Sequence, residues 1–261
     1  MNFRIIPRLD IKNNQLIKGI NFEGLKVIGD PKAFIEYYYE NGADELILSD
    51  AVASLYGINS LNDILKEVVK KVSIPISVAG GVRSIDTIRN LMKSGADRVI
   101  LNTYALENPE FLKNAVKYFG SSSIVVAIDY KKVFLKDENG NESLFYKVYT
   151  ENGKQYTNVN AFDWALESQK LGAGEILLSS IDHEGLMKGF EKDLTQKIAE
   201  KLKIPLLIGG GCGSPEDIKN IAEITNCNGV SLASILHYKK NDIMKIKQEL
   251  SRSNMKVVFH D

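Results

Sequence analysis

The chain has 261 residues, and its 33 Lys+Arg against 33 Asp+Glu leave no net charge, so no broad basic field exists to gather nucleic acid or anionic lipid. Its length suits one large domain or two small ones. No apolar run approaches the roughly 20 residues that cross a bilayer, the opening Met1-Asn2-Phe3-Arg4 carries no secretion signal, and Cys212 and Cys227 form no disulfide framework; a cytoplasmic location is expected.

In chain order, short apolar runs alternate with segments of helical period. The first run, residues 5–9, is followed by a long polar, glycine-containing excursion over residues 12–30. A helical pattern at 33–39 leads to a second run at 46–48, and one at 61–69 to a third at 76–78. Helical residues 85–92 precede the fourth run at 99–101, and 111–118 precede the fifth at 124–128. After it, the Asp137-Glu138-Asn139-Gly140-Asn141 turn and the alternating Phe145-Tyr146-Lys147-Val148-Tyr149 predict a β-hairpin within residues 131–158. Helical stretches at 162–171, 194–202 and 218–224 then separate runs at 176–178, 206–208 and 230–232. Ser84, Asn108 and Ser214 stand where helix caps belong. Eight apolar runs alternating with helical segments predict an α/β fold, a single (β/α)8 barrel over residues 1–261.

The halves repeat. Gly42-Ala43-Asp44-Glu45-Leu46 returns as Gly172-Ala173-Gly174-Glu175-Ile176, Ile74-Pro75 as Ile204-Pro205, and Gly80-Gly81 as Gly210-Gly211. Each pair lies 130 positions apart (172 against 42, 204 against 74, 210 against 80). Two half-barrels, about 1–120 and 121–261, are expected to share one plan.

That plan places chemistry. Gly80 and Gly81 end the third strand and Asn102 and Thr103 the fourth; Gly210 and Gly211 end the seventh, Ala233 and Ser234 the eighth. Small residues there let backbone N–H groups approach an anion, although an isolated Gly-Gly can simply make a tight turn. Two such cradles across the barrel suit an elongated ligand with a phosphate at each end. Asp10 closes the first strand and Asp129 the fifth, opposite positions in an eight-membered ring, so the two carboxyls face each other midway between the cradles as an acid and base pair. Lys18, Asp50, Ser180, Asp182, Glu184 and Gly185 complete the set on that face. Both long insertions, 12–30 and 131–158, follow strand ends there and are candidate lids. At the other end, Arg4, Glu45, Arg98 and Glu175 alternate in sign before their strands; they read either as a ring of ion pairs plugging the base or as ordinary solvated strand ends.

These residues resemble those of the cyclase subunit of imidazole glycerol phosphate synthase, HisF. The likeness runs through Arg4-Ile5-Ile6-Pro7-Arg8-Leu9-Asp10, Lys18-Gly19-Ile20-Asn21-Phe22, Gly29-Asp30-Pro31, Val125-Val126-Ala127-Ile128-Asp129 and Gly172-Ala173-Gly174-Glu175-Ile176-Leu177-Leu178. It implies a carbon–nitrogen lyase and cyclase of histidine biosynthesis in which Asp10 and Asp129 are catalytic, with Asp10 the base and Asp129 the acid. Lys18 belongs to a mobile loop over the substrate, and the cradles hold the two phosphates of PRFAR. Ammonia from a glutaminase subunit, docked on the barrel base in a heterodimer, crosses the barrel through a gate of Arg4, Glu45, Arg98 and Glu175; Asp97 falls at the docking surface. Attack on the ketone, release of AICAR and ring closure give imidazole glycerol phosphate. No cofactor or metal is called for, and His183, His237 and His260 lack ligand spacing.

The chain departs from the family pattern at Arg8, where Cys is usual, and at Ala79, Gly209 and Arg98, where Gly, Ser and Lys are usual. Asp182-His183-Glu184-Gly185-Leu186-Met187-Lys188-Gly189 replaces Asp-Arg-Asp-Gly-Thr-Lys-Ser-Gly, so Leu186 offers no hydroxyl to a ligand. Such drift is similar to that of paralogues that conduct ammonia to amidotransferases of surface polysaccharides. The sister sugar isomerase shares the half-barrel repeat, and a noncatalytic activator of a glutaminase is a further alternative.

Overall fold

A computed structural model describes residues 2–51, 53, 61–136, 138 and 140–260. Eight parallel strands close into a barrel: β1 (Arg4–Lys12), β4 (Leu46–Asp50), β5 (Ile76–Ala79), β6 (Arg98–Leu101), β7 (Ile124–Lys136), β10 (Glu175–Ser180), β11 (Leu206–Gly209) and β12 (Gly229–Leu232). Each pairs with the next, β12 pairs with β1, and β7 pairs with β10. Burial explains the unbroken apolar runs, because parallel strands covered on both faces have no solvent side to mark with polar residues; β4 and β10 are buried at every position. On β1 the side chains alternate, with Ile5 and Leu9 in the outer core against the helices. Ile6 instead joins Ile47, Ile100, Val125, Ala127, Leu177 and Leu207 in a separate apolar column inside the barrel.

Around the strands lie α1 (Pro31–Glu40), α2 (Asn62–Val68), α3 (Ile85–Lys93), α4 (Thr103–Glu107), α5 (Pro109–Phe119), α6 (Ala161–Lys170), α7 (Asp193–Ala199), α8 (Pro215–Thr225), α9 (Ser234–His237) and α10 (Ile243–Arg252). Ser84, Asn108 and Ser214 accept from the backbone N–H of Thr87, Phe111 and Asp217, and Ser214 with Asp217 makes a capping box. The strand starts are tied in the same manner. Asp44 accepts from the N–H of Ile5 at 2.7 Å, Asp97 from Ile76 at 2.8 Å and Asn228 from Leu206 at 2.9 Å. The repeat is visible in geometry, since the amides of Leu46 and Ile176 each donate to the carbonyl of the matching proline, Pro75 or Pro205, at 3.0 Å.

Four elements differ from expectation. Residues 12–30 form a hairpin, β2 (Gln15–Ile20) with β3 (Glu23–Gly29), and not an irregular excursion. The reason is turn chemistry: Asn13 and Asn14 take φ of 51° and 57°, as do Asn21 and Phe22 at 52° and 64°, the left-handed pairs that reverse a two-stranded ribbon. The second insertion is the expected hairpin, β7 against β8 (Glu142–Thr150), extended by a third strand β9 (Gln155–Asn160); Asp137 and Asn139 of its turn lie outside the described residues. Helix α7 stops at Ala199, short of residue 202. The amphipathic α10 closes the chain without having been anticipated.

Candidate active site

Two cavities open at the C-terminal mouth of the barrel. The larger, about 680 Å³, has Ile47, Ile100, Ala127 and Leu177 of the inner column as its floor. Asp50, Gly80, Gly81, Asn102, Thr103 and Asp129 line its walls. The smaller, about 360 Å³, is lined by Glu184, Gly185, Gly210, Gly211, Ala233 and Ser234.

The glycine pairs are demanded by close packing. Gly80 and Gly81 have φ of 110° and 61°, and a Cβ at Gly80 would stand 2.6 Å from the Asp50 carbonyl oxygen. Gly210 and Gly211, at φ of 84° and 110°, repeat this: a Cβ at Gly211 would stand 2.1 Å from the Gly189 carbonyl oxygen. No side chain fits there, so each wall is formed by backbone at these positions. The Ser234 hydroxyl, in the smaller cavity, is buried without a protein partner.

The two carboxyls are charged differently. Burial pushes Asp129 up to about 6, and the anions Glu184 and Asp10 add to this, while Arg8 and the Asn102 amide offset part of it. Asn102 donates to Asp129 Oδ2 at 2.7 Å, leaving Oδ1 buried and without a protein partner. Burial raises Asp10 too, but the Arg8 guanidinium, 3.0 Å from its Oδ1, outweighs that with help from Lys18 and His237, and Asp10 lies below the usual carboxylate range.

The hairpin β2–β3 folds over the mouth. Its tip residue Asn21 donates twice onto the segment after β10: its backbone N–H to the Glu184 carbonyl at 2.9 Å and its side-chain amide to the Ile181 carbonyl at 2.5 Å. Lys18, almost wholly buried, forms an ion pair with Glu184. Asp10 and Lys18 border neither cavity directly, and neither do Ser180 and Asp182. Ser180 bonds His183 at 2.9 Å, and Asp182 accepts from the N–H of Lys132 at 2.8 Å, so these two brace the rim. Asp50 likewise accepts from the N–H of Ala53 at 3.0 Å. Arg83 and Asn152 border the larger cavity without having been expected there. A cation three positions past Gly80 was a readable signal for Arg83; nothing in the pattern pointed to Asn152, which arrives from the β8–β9 turn.

At the base, the four charges close a ring. Arg4 binds Glu45 at 3.2 Å and pairs with Glu175, and Arg98 binds Glu175 at 2.6 Å and pairs with Glu45. Ser77 donates to the remaining Glu45 oxygen at 2.6 Å. Both glutamates are buried, so these are not solvated strand ends. Asp97 lies exposed beside them. Among the described residues no cluster of His, Cys, Asp and Glu could hold a metal, and no helix is long and apolar enough to cross a membrane.

Known proteins resemble this chain over most of its length. Residues 4–242 match the family described as "Histidine biosynthesis protein". The chain is 38% identical over 266 residues to the imidazole glycerol phosphate synthase subunit HisF of Methanococcus vannielii, an alignment covering 97% of this chain and 98% of that one. Against the subunit HisF of Nitrosopumilus maritimus it is 40% identical over 261 residues, with 97% and 98% covered. Against that of Legionella pneumophila it is 44% identical over 216 residues, with 83% and 98% covered.

Proposed function

The chain belongs to the histidine biosynthesis protein family as a HisF cyclase subunit of imidazole glycerol phosphate synthase, and we propose that its mouth residues carry out the cyclase reaction as an opposed acid and base. The observation that carries the assignment of roles is the unequal pair: Asp10 held as an anion by Arg8, and Asp129 buried with one oxygen unpartnered. An anion serves as base, and a carboxyl pushed up to about 6 is the better proton donor of the two. The bisphosphate substrate PRFAR would lie with one phosphate against Gly80, Gly81, Asn102 and Thr103 and the other against Gly210, Gly211, Ala233 and Ser234. Its ketone then sits between the carboxyls. Ammonia adds to that ketone, Asp10 takes a proton from the added nitrogen, and Asp129 gives one to the departing oxygen; AICAR release and ring closure follow. Lys18 of the hairpin, paired with Glu184 below it, would shield the site from water.

A glutaminase partner docked at the base, with Asp97 in its contact surface, would feed ammonia past the ring of Arg4, Glu45, Arg98 and Glu175 into the apolar column. That column ends at the floor of the larger cavity beside Asp129. Neutral ammonia suits an apolar path and ammonium does not.

Purified protein given PRFAR and an ammonium salt is expected to release imidazole glycerol phosphate and AICAR. Asp10→Asn and Asp129→Asn should each lower turnover by about 10²- to 10⁴-fold while keeping most of the bisphosphate affinity. Native-like turnover in either variant removes that residue from the mechanism, and no product from the native protein removes the cyclase reading.

A further inference from the structure

Of the described lining residues, Arg8 alone borders both mouth cavities. Alternation along β1 sends Ile6 into the inner column and lifts Arg8 one layer higher, below Asp10. The guanidinium is held by two contacts. Its Nε donates to Asp10 Oδ1 at 3.0 Å, and its guanidinium carbon lies 5.6 Å from the ring centroid of Phe22, at the tip of the β2–β3 hairpin. Its backbone carbonyl lies just past the end of the β1–β12 ladder, at Pro7 and Leu232. There His237 Nε2 donates to it at 3.0 Å, and Tyr38 donates to His237 Nδ1 at 2.6 Å.

Four charged or titratable groups face Asp10: Arg8 from β1, Lys18 from β2, His237 from α9 and Asp129 from β7, while Glu184, from the segment after β10, faces Arg8 and Asp129. Lys18 is paired with Glu184. Burial, with Lys18 nearby, pushes His237 down to about 4, so it is neutral when the site works. The two carboxyls repel. Among the described residues, Arg8 is the cation bonded to Asp10.

We propose that Arg8 is a positioning residue that keeps Asp10 an anion and holds it beside the waist where Arg8 itself borders both cavities, and where the middle of any ligand spanning both must lie. The cyclase reading supplies what Asp10 does there; the charge assignment stands on the Arg8 contacts.

The test is a carbon-13 titration of aspartate-labelled protein, the Asp10 carboxyl being identified by its loss in Asp10→Asn. In Arg8→Met the Asp10 midpoint should rise by roughly one to two pH units, and in Arg8→Lys by less. The turnover deficit of Arg8→Met should be larger at mildly acid than at mildly alkaline pH, a dependence that a merely loosened barrel would not produce. Arg8→Gln, polar and of similar length, gives the same titration readout should Arg8→Met fail to fold. An Asp10 midpoint unmoved in a folded charge-free variant overturns the proposal. A shifted midpoint in proteins that all lack cyclase turnover supports it while removing the functional reading instead.

Discussion

Asp129 is a carboxyl that the native barrel protonates more readily than the unfolded chain does. Its folded value of about 6 stands above the ordinary 3.8, so the native state binds the extra proton between them. Stability from this group is complete below pH 4 and is lost as pH rises through 6, by roughly 3 kcal/mol across the window. Asp129→Asn removes the ionisation cost and keeps an acceptor for Asn102. Thermal melts should therefore show the variant more stable than native protein at neutral pH, with the gap closing toward pH 4; a native protein that melts higher at neutral pH contradicts the placement of this carboxyl. An inactive yet stabilised variant is the pattern expected of a strained functional group.

The β2–β3 hairpin owes its closed position to an absence of side-chain bulk. Gly185 has φ of 79°, and a Cβ there would stand 2.6 Å from the Gly19 carbonyl oxygen and 3.1 Å from the Ile20 Cα. Gly185→Ala is expected to lift the hairpin at a cost of about 1–3 kcal/mol, so that trypsin cuts after Lys18 or Lys26 several-fold faster than in the native protein. Unchanged digestion kinetics would mean the hairpin is not seated on Gly185. Elements of this kind were the least legible in the sequence. The eight barrel strands stood out because burial on both faces writes continuous apolar runs, and the glycine pairs stood out because they recur. The hairpin mixes exposed Ile20, Leu25 and Val27 with charged residues and so carries no alternation; only Asn13-Asn14 and Asn21-Phe22 mark its turns. The reach of Asn102 to Asp129 and the bracing of Asp182 were invisible for another reason, since they depend on where a side chain turns after its strand has ended. Arg8 stood in the sequence as a departure, but its contact with both cavities needed the barrel to be closed.

The ring of Arg4, Glu45, Arg98 and Glu175 ties the starts of four strands drawn from both halves of the chain. Glu175→Gln leaves two cations to share Glu45 and should cost about 1–3 kcal/mol, less than a fully buried pair because both arginines are partly exposed. Ammonium-driven turnover should persist in this variant, whereas glutamine-driven turnover with a glutaminase partner should change. Equal loss on both nitrogen sources would place Glu175 in structure alone.

Between that ring and the mouth runs the apolar column of Ile6, Ile47, Ile100, Val125, Ala127, Leu177 and Leu207, none of which has a side chain that ionises. On the proposed reading, such a column would pass the neutral base without its counter-proton. The hydrogen ions that the condensation uses would then be exchanged by the carboxyls at the mouth, and not along the bore.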